Sequence, residues 1–327
     1  MEFTDYHQKD LSSTQFLISG GAGFIGSNIV NYLLHFGAKK VRVIDNLSTG
    51  NRKNIEGFLK NPTFEFLEAD ISDYESCLKA CEGIDYVSHQ AALGSVPRSI
   101  ENPIATNQSN VDGFLNMIVA AREKGVKRVV YASSSSVYGD HLSLPKVEEE
   151  IGRPLSPYAV SKRTNELYAN VAHLNYGQEL IGLRYFNVFG PNQSPEGAYA
   201  AVIPLFIEAL LKYESPFING DGSQSRDFTY VDNAVQANIL GLFTTEAAAI
   251  GEVFNVAVGE QFTLLDLFEM IQKKLNSKVP VIHRQERPGD IKNSLADISK
   301  AKALLNYIPQ VKFEEGIERT IEWFRGK

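Results

Sequence analysis

Tyr158 and Lys162, four residues apart, are the pair in this chain whose types and spacing best suit chemistry. Ser156-Pro157 just before them is a helix-start signal, a capping side chain followed by a residue with φ suited to a first turn. Val160, Leu167, Val171 and Leu174 then recur as an apolar stripe at helical spacing. On that helix Tyr158 and Lys162 share one face. A free phenol, with a pKa of ~10, is a poor base at neutral pH. An ammonium beside it favours the phenolate and lowers that pKa, so the pair can act as an acid/base device. Ordinary surface helices carry the same spacing, so the weight of the reading rests on the rest of the chain.

The elements that would position the pair begin near the N-terminus. Phe16–Ser19 reads as a buried strand, and a helical pattern runs from Phe24 to about His35. Between them Gly20, Gly21, Gly23 and Gly26 satisfy both Gly-x-Gly-x-x-Gly and Gly-x-x-Gly-x-x-Gly. Strand, glycine turn and helix in this order form a dinucleotide fingerprint. Glycine lets the backbone approach a pyrophosphate, and the helix N-terminus offers unpaired N–H groups. Val41–Asp45 is the second strand, and Asp45 lies 19 residues beyond Gly26. A carboxylate there can accept from a ribose 2′-OH and repels a 2′-phosphate, favouring NAD over NADP. Arg52 and Lys53 follow and weaken that preference.

Further strands are expected at 64–67, ending before Asp70-Ile71, at 86–89 and at 126–132, with helices running through Leu78 and over 103–122. This alternation predicts an α/β fold, a doubly wound parallel sheet. The fourth strand leads into His89–Ser99, whose small residues suit close ligand approach. His89 is either a base or a satisfied structural group. The fifth strand delivers Ser133-Ser134-Ser135-Ser136 to the same edge.

The 327 residues carry a net charge of -7, which argues against nucleic acid because phosphate contact needs a basic surface. Cys77 and Cys81 suggest packing rather than a metal site or disulfide framework. Residues 1–15 are polar, unlike a signal peptide, and read as a frayed extension. No apolar run is long enough to span a bilayer, so a cytoplasmic protein without a membrane partner is expected.

Taken together, these residues resemble the extended short-chain dehydrogenase/reductases, which have a Rossmann fold. Asp45–Gly50, Arg184–Gly190 and Arg226–Val231 are similar to motifs of nucleotide-sugar 4-epimerases. His89–Ser99 resembles the subgroup acting on UDP-N-acetylglucosamine and its uronic acid. The resemblance runs from about residue 15 to the C-terminus. It implies that Tyr158 takes the proton of the sugar 4-OH while NAD takes the C4 hydride. Lys162 would hold the nicotinamide ribose and depress the tyrosine pKa, and Ser134, or its neighbour Ser135, would bridge to the 4-OH. The 4-keto sugar would then turn over and recover the hydride on its other face.

The implied NAD site comprises Gly20, Gly23, Phe24, Ile25, Gly26, Asp45, Asn46, Ser48, Thr49, Gly50, Asp70, Ile71, Gln90, Ala91 and Ala92, with Tyr158 and Lys162. The implied UDP-sugar site comprises Gly94, Ser95, Ser134, Ser135, Asn187, Gln193, Ala201, Val202, Asn219, Arg226, Arg287, Asp290 and Ser294. Asn187, Arg226 and Arg287 would contact the diphosphate, where guanidiniums suit phosphate oxygens. Ser294 would sit at the gatekeeper position beside the sugar C2 substituent, its small size leaving room for an acetamido group.

Residues 15–190 with about 228–258 are expected to bind NAD. A smaller, interleaved unit of about 191–227 with 259–327 would bind the UDP-sugar, after an extension of 1–14. A homodimer through the helices following Pro103 and Tyr158 is implied. The expected activity is UDP-N-acetylglucosamine 4-epimerase, with the uronic acids as a further substrate pair. Alternatives are a UDP-glucose/UDP-galactose 4-epimerase and, from another class, a non-catalytic NAD-sensing regulator on the same fold. A sugar 4,6-dehydratase would need an Asp-Glu pair after a Thr, where this chain has Ser134-Ser135-Ser136. A UDP-xylose-forming decarboxylase is not favoured by His89–Ser99.

Overall fold

A computed structural model describes residues 4–195, 201–285 and 292–326. Seven strands form one sheet: β1 (Gln15–Ser19), β2 (Lys40–Asp45), β3 (Phe64–Glu68), β4 (Tyr86–His89), β5 (Arg128–Ser134), β6 (Leu180–Tyr185) and β7 (Val253–Val256). Their spatial order is β7-β6-β5-β4-β1-β2-β3, and every pairing is parallel. The order reverses between β1 and β4, which opens a crevice at the carboxyl ends of these strands.

Both faces of the sheet are covered, which is why β6 is buried at every residue and reads as a continuous apolar run apart from Arg184. On one face Ile29, Val30 and Leu33 of the Phe24–His35 helix join Ala234, Val235 and Leu242 of the Val231–Phe243 helix. On the other, Cys77 and Cys81 pack with Phe114 and Met117. Burial pushes each of these thiols up to about 12, consistent with a packing role. A third apolar cluster, around Phe189, Phe206, Phe228 and Phe313, joins the Val202–Leu211, Leu264–Leu275 and Phe313–Arg325 helices.

Four local expectations change. The Pro157–Tyr176 helix is capped by Ser156, whose side chain accepts from Ala159 N, but it turns its stripe outward. Val160, Leu167, Val171 and Leu174 are 50–72% exposed, whereas Lys162, Asn165, Glu166, Ala169 and Ala172 are buried. The inner face is narrow because small and polar side chains let the helix lie close to β5 and β6. Residues 1–15 are not frayed where described: Tyr6 stacks on Tyr32 at 5.6 Å, His7 Nδ1 lies 2.8 Å from the Tyr32 hydroxyl, and Leu11 is buried. A few aromatic side chains dock there because Tyr32, Phe36 and Phe243 already form an aromatic surface. The helical run after Pro103 contains a π turn over Gln108–Asp112, a feature often found at functional sites. Finally, β5 ends at Ser134 rather than residue 132, so Ser133 and Ser134 belong to the strand. Among the described residues, no helix is long and apolar enough to cross a membrane.

Candidate active site

A cavity of about 350 Å³ lies at the carboxyl ends of β1, β2, β4 and β5. Its wall includes Gly20, Gly23, Phe24, Ile25, Gly26, Asp45, Asn46, Ser48, Thr49, Gly50, Ile71, Gln90, Ala91 and Ala92. Gly20 has φ +70°, and a Cβ there would stand 2.6 Å from Ala91 N; a Cβ on Gly26 would stand 2.2 Å from Gly20 O. Backbone therefore meets backbone where a pyrophosphate would approach. Asp45 is buried, accepting from Ala22 N at 2.9 Å and Leu47 N at 2.8 Å, so it also ties the glycine turn to β2. Burial pushes its carboxyl above the usual range, and those two amides pull it back. Asp70 is exposed, not part of the wall, and accepts from Asn46 Nδ2 at 2.7 Å.

Tyr158, Lys162 and Gly94 line the same cavity. Lys162 Nζ is buried, donates to Ala132 O at 2.9 Å and lies 6.0 Å from the centre of the Tyr158 ring. Burial pushes its ammonium down to about 8, and Glu166 pulls it back up. Burial also pushes the Tyr158 phenol up, with the Ser134 hydroxyl pulling the other way. In the protein alone, burial therefore sets the direction of the phenol's shift, and Ser134 is the group that opposes it. Ser134 is the serine that reaches Tyr158, and its Oγ also accepts from Ser136 N at 3.1 Å. Ser135 instead opens a short helical turn, Ser135–Tyr138. His89 is fully buried, 2.8 Å from Ser19 Oγ through Nδ1, with its Nε2 lacking a partner among the described residues, and burial pushes it down to about 3, with Lys162 adding to the effect.

A second cavity, of about 390 Å³, is lined by Asn187, Val202, Asn219 and Arg226, together with Phe217, Phe228 and Arg284. Asn187 donates to Asp227 O at 2.9 Å, and Arg226 donates to Ser225 O at 2.8 Å and Lys292 O at 3.2 Å. The Arg284 guanidinium covers the Phe217 ring at 3.2 Å. Ala201 is the exposed residue preceding the Val202–Leu211 helix. Gln193 donates to Val188 O at 3.1 Å, while its Oε1 is buried with no partner among the described residues. Ser95 caps the Val96–Glu101 helix, its side chain accepting from Arg98 N at 3.3 Å, so that hydroxyl serves the backbone. Ser294 is 9% exposed and donates its N–H to Ser225 O at 3.1 Å; it is not in the wall of either cavity. Arg287 and Asp290 lie outside the described residues.

Residues 16–257 match the NAD dependent epimerase/dehydratase family. The chain belongs to that family. A UDP-N-acetylglucosamine 4-epimerase from Methanobrevibacter ruminantium, solved with UDP-N-acetylmuramic acid, is 43% identical with a TM-score of 0.89, covering 96% of this chain and 98% of that one. A UDP-glucuronic acid 4-epimerase from Bacillus cereus, solved with UDP-glucuronic acid and NAD, is 32% identical with a TM-score of 0.89, covering 96% and 99%. The UDP-glucose 4-epimerase of Mycolicibacterium smegmatis is 36% identical over 95% of this chain and 98% of its own length.

NAD is the cofactor of the family, and the first cavity fits it. The glycine cradle that a Cβ would fill suits the pyrophosphate, and Asp45 ends β2 where a ribose hydroxyl would be met. Ser133, of the expected serine run, is in this wall, and three further wall residues, Arg98, Ser109 and Tyr185, were not expected from the sequence. Arg98 belongs to the His89–Ser99 stretch and Tyr185 to Arg184–Gly190, so motifs marked both neighbourhoods. Ser109 had no local signal, because the π turn brings it to the wall.

Proposed function

We propose that this member of the epimerase/dehydratase family is a UDP-sugar 4-epimerase that prefers UDP-GlcNAc and UDP-GalNAc and takes their uronic acids as a further pair. The observation carrying this reading is that Tyr158 and Lys162 line the end of the dinucleotide cavity while Ser134, outside its wall, acts on the Tyr158 phenol. Bound NAD supplies a hydride acceptor that returns what it takes, so the reaction involves no net redox change. Tyr158 Oη removes the 4-OH proton and later gives it back. Ser134 Oγ bridges Tyr158 and the 4-OH, holding the oxygen in line. Lys162 Nζ holds the ribose hydroxyls and keeps positive charge near the developing phenolate. Asn187 and Arg226 of the second cavity receive the diphosphate, and the Val202 and Asn219 region receives the uracil.

The 43% identity to a UDP-N-acetylglucosamine 4-epimerase supports the N-acetyl preference. We read residues 15–190 with about 228–258 as the NAD unit and about 191–227 with 259–327 as the sugar-nucleotide unit, in a cytoplasmic homodimer. The dimer reading rests on the outward stripe of the Pro157–Tyr176 helix together with Ile100 and Ile104, 62% and 71% exposed. A Val171→Glu, Leu174→Glu double variant should run as a monomer in light scattering. The test of function is a panel of UDP-sugars followed by NMR of the C4 configuration. UDP-GlcNAc and UDP-GalNAc should interconvert without NADH release. Preferred turnover of UDP-glucose and UDP-galactose would move the assignment to that pair, and no C4 inversion on any sugar would end the epimerase reading.

A further inference from the structure

Glu166 lines neither cavity itself, yet it is bonded to Ser133 in the wall of the first and to Arg184 behind it. It is 4% exposed, four residues past Lys162 and eight past Tyr158 on the inner face of their helix. Its Oε1 accepts from Ser133 Oγ at 2.6 Å and Arg184 Nε at 2.8 Å. Its Oε2 accepts from Arg184 Nη2 and Arg163 Nη1, both at 2.9 Å. Ser133 pairs in register with Arg184 across β5 and β6, and Ser134 with Tyr185. Each group fastened by Glu166 on these strands is therefore next in sequence to a site residue: Ser133 to Ser134, and Arg184 to Tyr185.

A buried ion pair is a poor device for stability alone, because desolvation offsets most of its Coulomb attraction. Apolar side chains of similar volume would hold this helix to the sheet as well. They would not leave a carboxylate one turn from Lys162.

We infer that Glu166 is a positioning residue for proton transfer, fastening β5 and β6 beside Ser134 and Tyr185 and setting a carboxylate one turn from Lys162. This rests on the reading of Tyr158 and Lys162 as the proton-transfer pair. The titratable and charged groups around Lys162 and Glu166 come from three strands and from their own helix. His89 on β4 is buried and neutral, and Tyr131 on β5 is a buried phenol held protonated. Arg184 on β6 and Arg163 on the same helix are both bonded to Glu166. Among the described residues, Glu166 is the carboxylate acting on Lys162 against burial.

The experiment compares Glu166→Gln and the double variant Glu166→Met, Arg184→Met with the wild-type holoprotein. The glutamine variant leaves Arg184 buried without its anion, which threatens folding. The double variant removes both charges at similar volume and keeps the question answerable. With ¹⁵N-labelled lysine, the Lys162 Nζ resonance is identified by its loss in Lys162→Arg and titrated by NMR. Its midpoint should fall by about one pH unit in the variants, the scale on which a neighbouring opposite charge acts. On the UDP-sugar that the wild type turns over, kcat should fall at least about tenfold with KM unchanged, and its alkaline limb should move to lower pH. The midpoint of the folded double variant is compared with that of Arg184→Met, which keeps the carboxylate; no difference between them overturns the inference, even if kcat falls, because Glu166 would then serve the fold alone. Should the wild type act on no UDP-sugar, the epimerase reading fails, while the titration still decides the role of Glu166.

Discussion

Gly20→Ala tests the dinucleotide cradle by adding one methyl group. The new Cβ would meet Ala91 N at 2.6 Å and Ala91 Cα at 2.7 Å, backbone atoms that cannot swing aside as a side-chain tip can. The φ of +70° adds a left-handed backbone penalty of roughly 1–2 kcal/mol. Overpacking against fixed atoms adds roughly 1–3 kcal/mol, for a total of about 2–5 kcal/mol. The turn can respond in two ways. If it stays in place, the strain appears as lost stability. If it shifts away from Ala91, the strain is relieved and NAD must restore the geometry, so affinity falls instead. Thermal unfolding of the NAD-free protein and an NAD titration therefore share the cost. Gly57→Ala is the control: its backbone is right-handed helical at φ -63°, and nothing lies within 4 Å of the added methyl. The summed loss in the two assays should be about 2–5 kcal/mol for Gly20→Ala and close to zero for Gly57→Ala. A Gly20→Ala protein that melts and binds NAD like the wild type would refute the claim that backbone closeness at this turn shapes the cavity.

Three further outcomes are expected. Tyr158→Phe keeps the ring and loses the phenolic oxygen, so NAD binding should survive while UDP-sugar turnover falls ~10²–10⁴-fold in a coupled or NMR assay; activity near wild type would remove Tyr158 as the base. Asp45→Ala should narrow the preference for NAD over NADP by removing repulsion of the 2′-phosphate, and should also lower the melting temperature because Ala22 N and Leu47 N lose their acceptor; an unchanged cofactor ratio in fluorescence titrations would assign the selectivity elsewhere. Ser294→Tyr should cost N-acetylated sugars ~1–3 kcal/mol or more in kcat/KM by overpacking while sparing UDP-glucose, and equal losses on both would count against a gatekeeper role.

The amino-acid sequence by itself determined the short-range parts of this protein. The glycine turn between β1 and its helix, Asp45 at the end of β2 and the Tyr158–Lys162 spacing each arise within a few residues, where local geometry leaves one arrangement. Strand and helix alternation likewise disclosed the parallel sheet, although β6 drew attention through Arg184–Gly190 rather than as a strand. What only the tertiary structure decided was direction and neighbourhood. The stripe of Val160, Leu167, Val171 and Leu174 announces that a face needs cover, but periodicity carries no information about which chain covers it. Nor could spacing reveal that Glu166 gathers Ser133 and Arg184, residues 33 and 18 positions away along the chain. The same holds for Tyr158 and Lys162: their order of titration is set by how much water the fold removes from each. Desolvation depends on every atom packed around a group, and those atoms come from β4, β5 and β6 as well as from the helix that carries the pair.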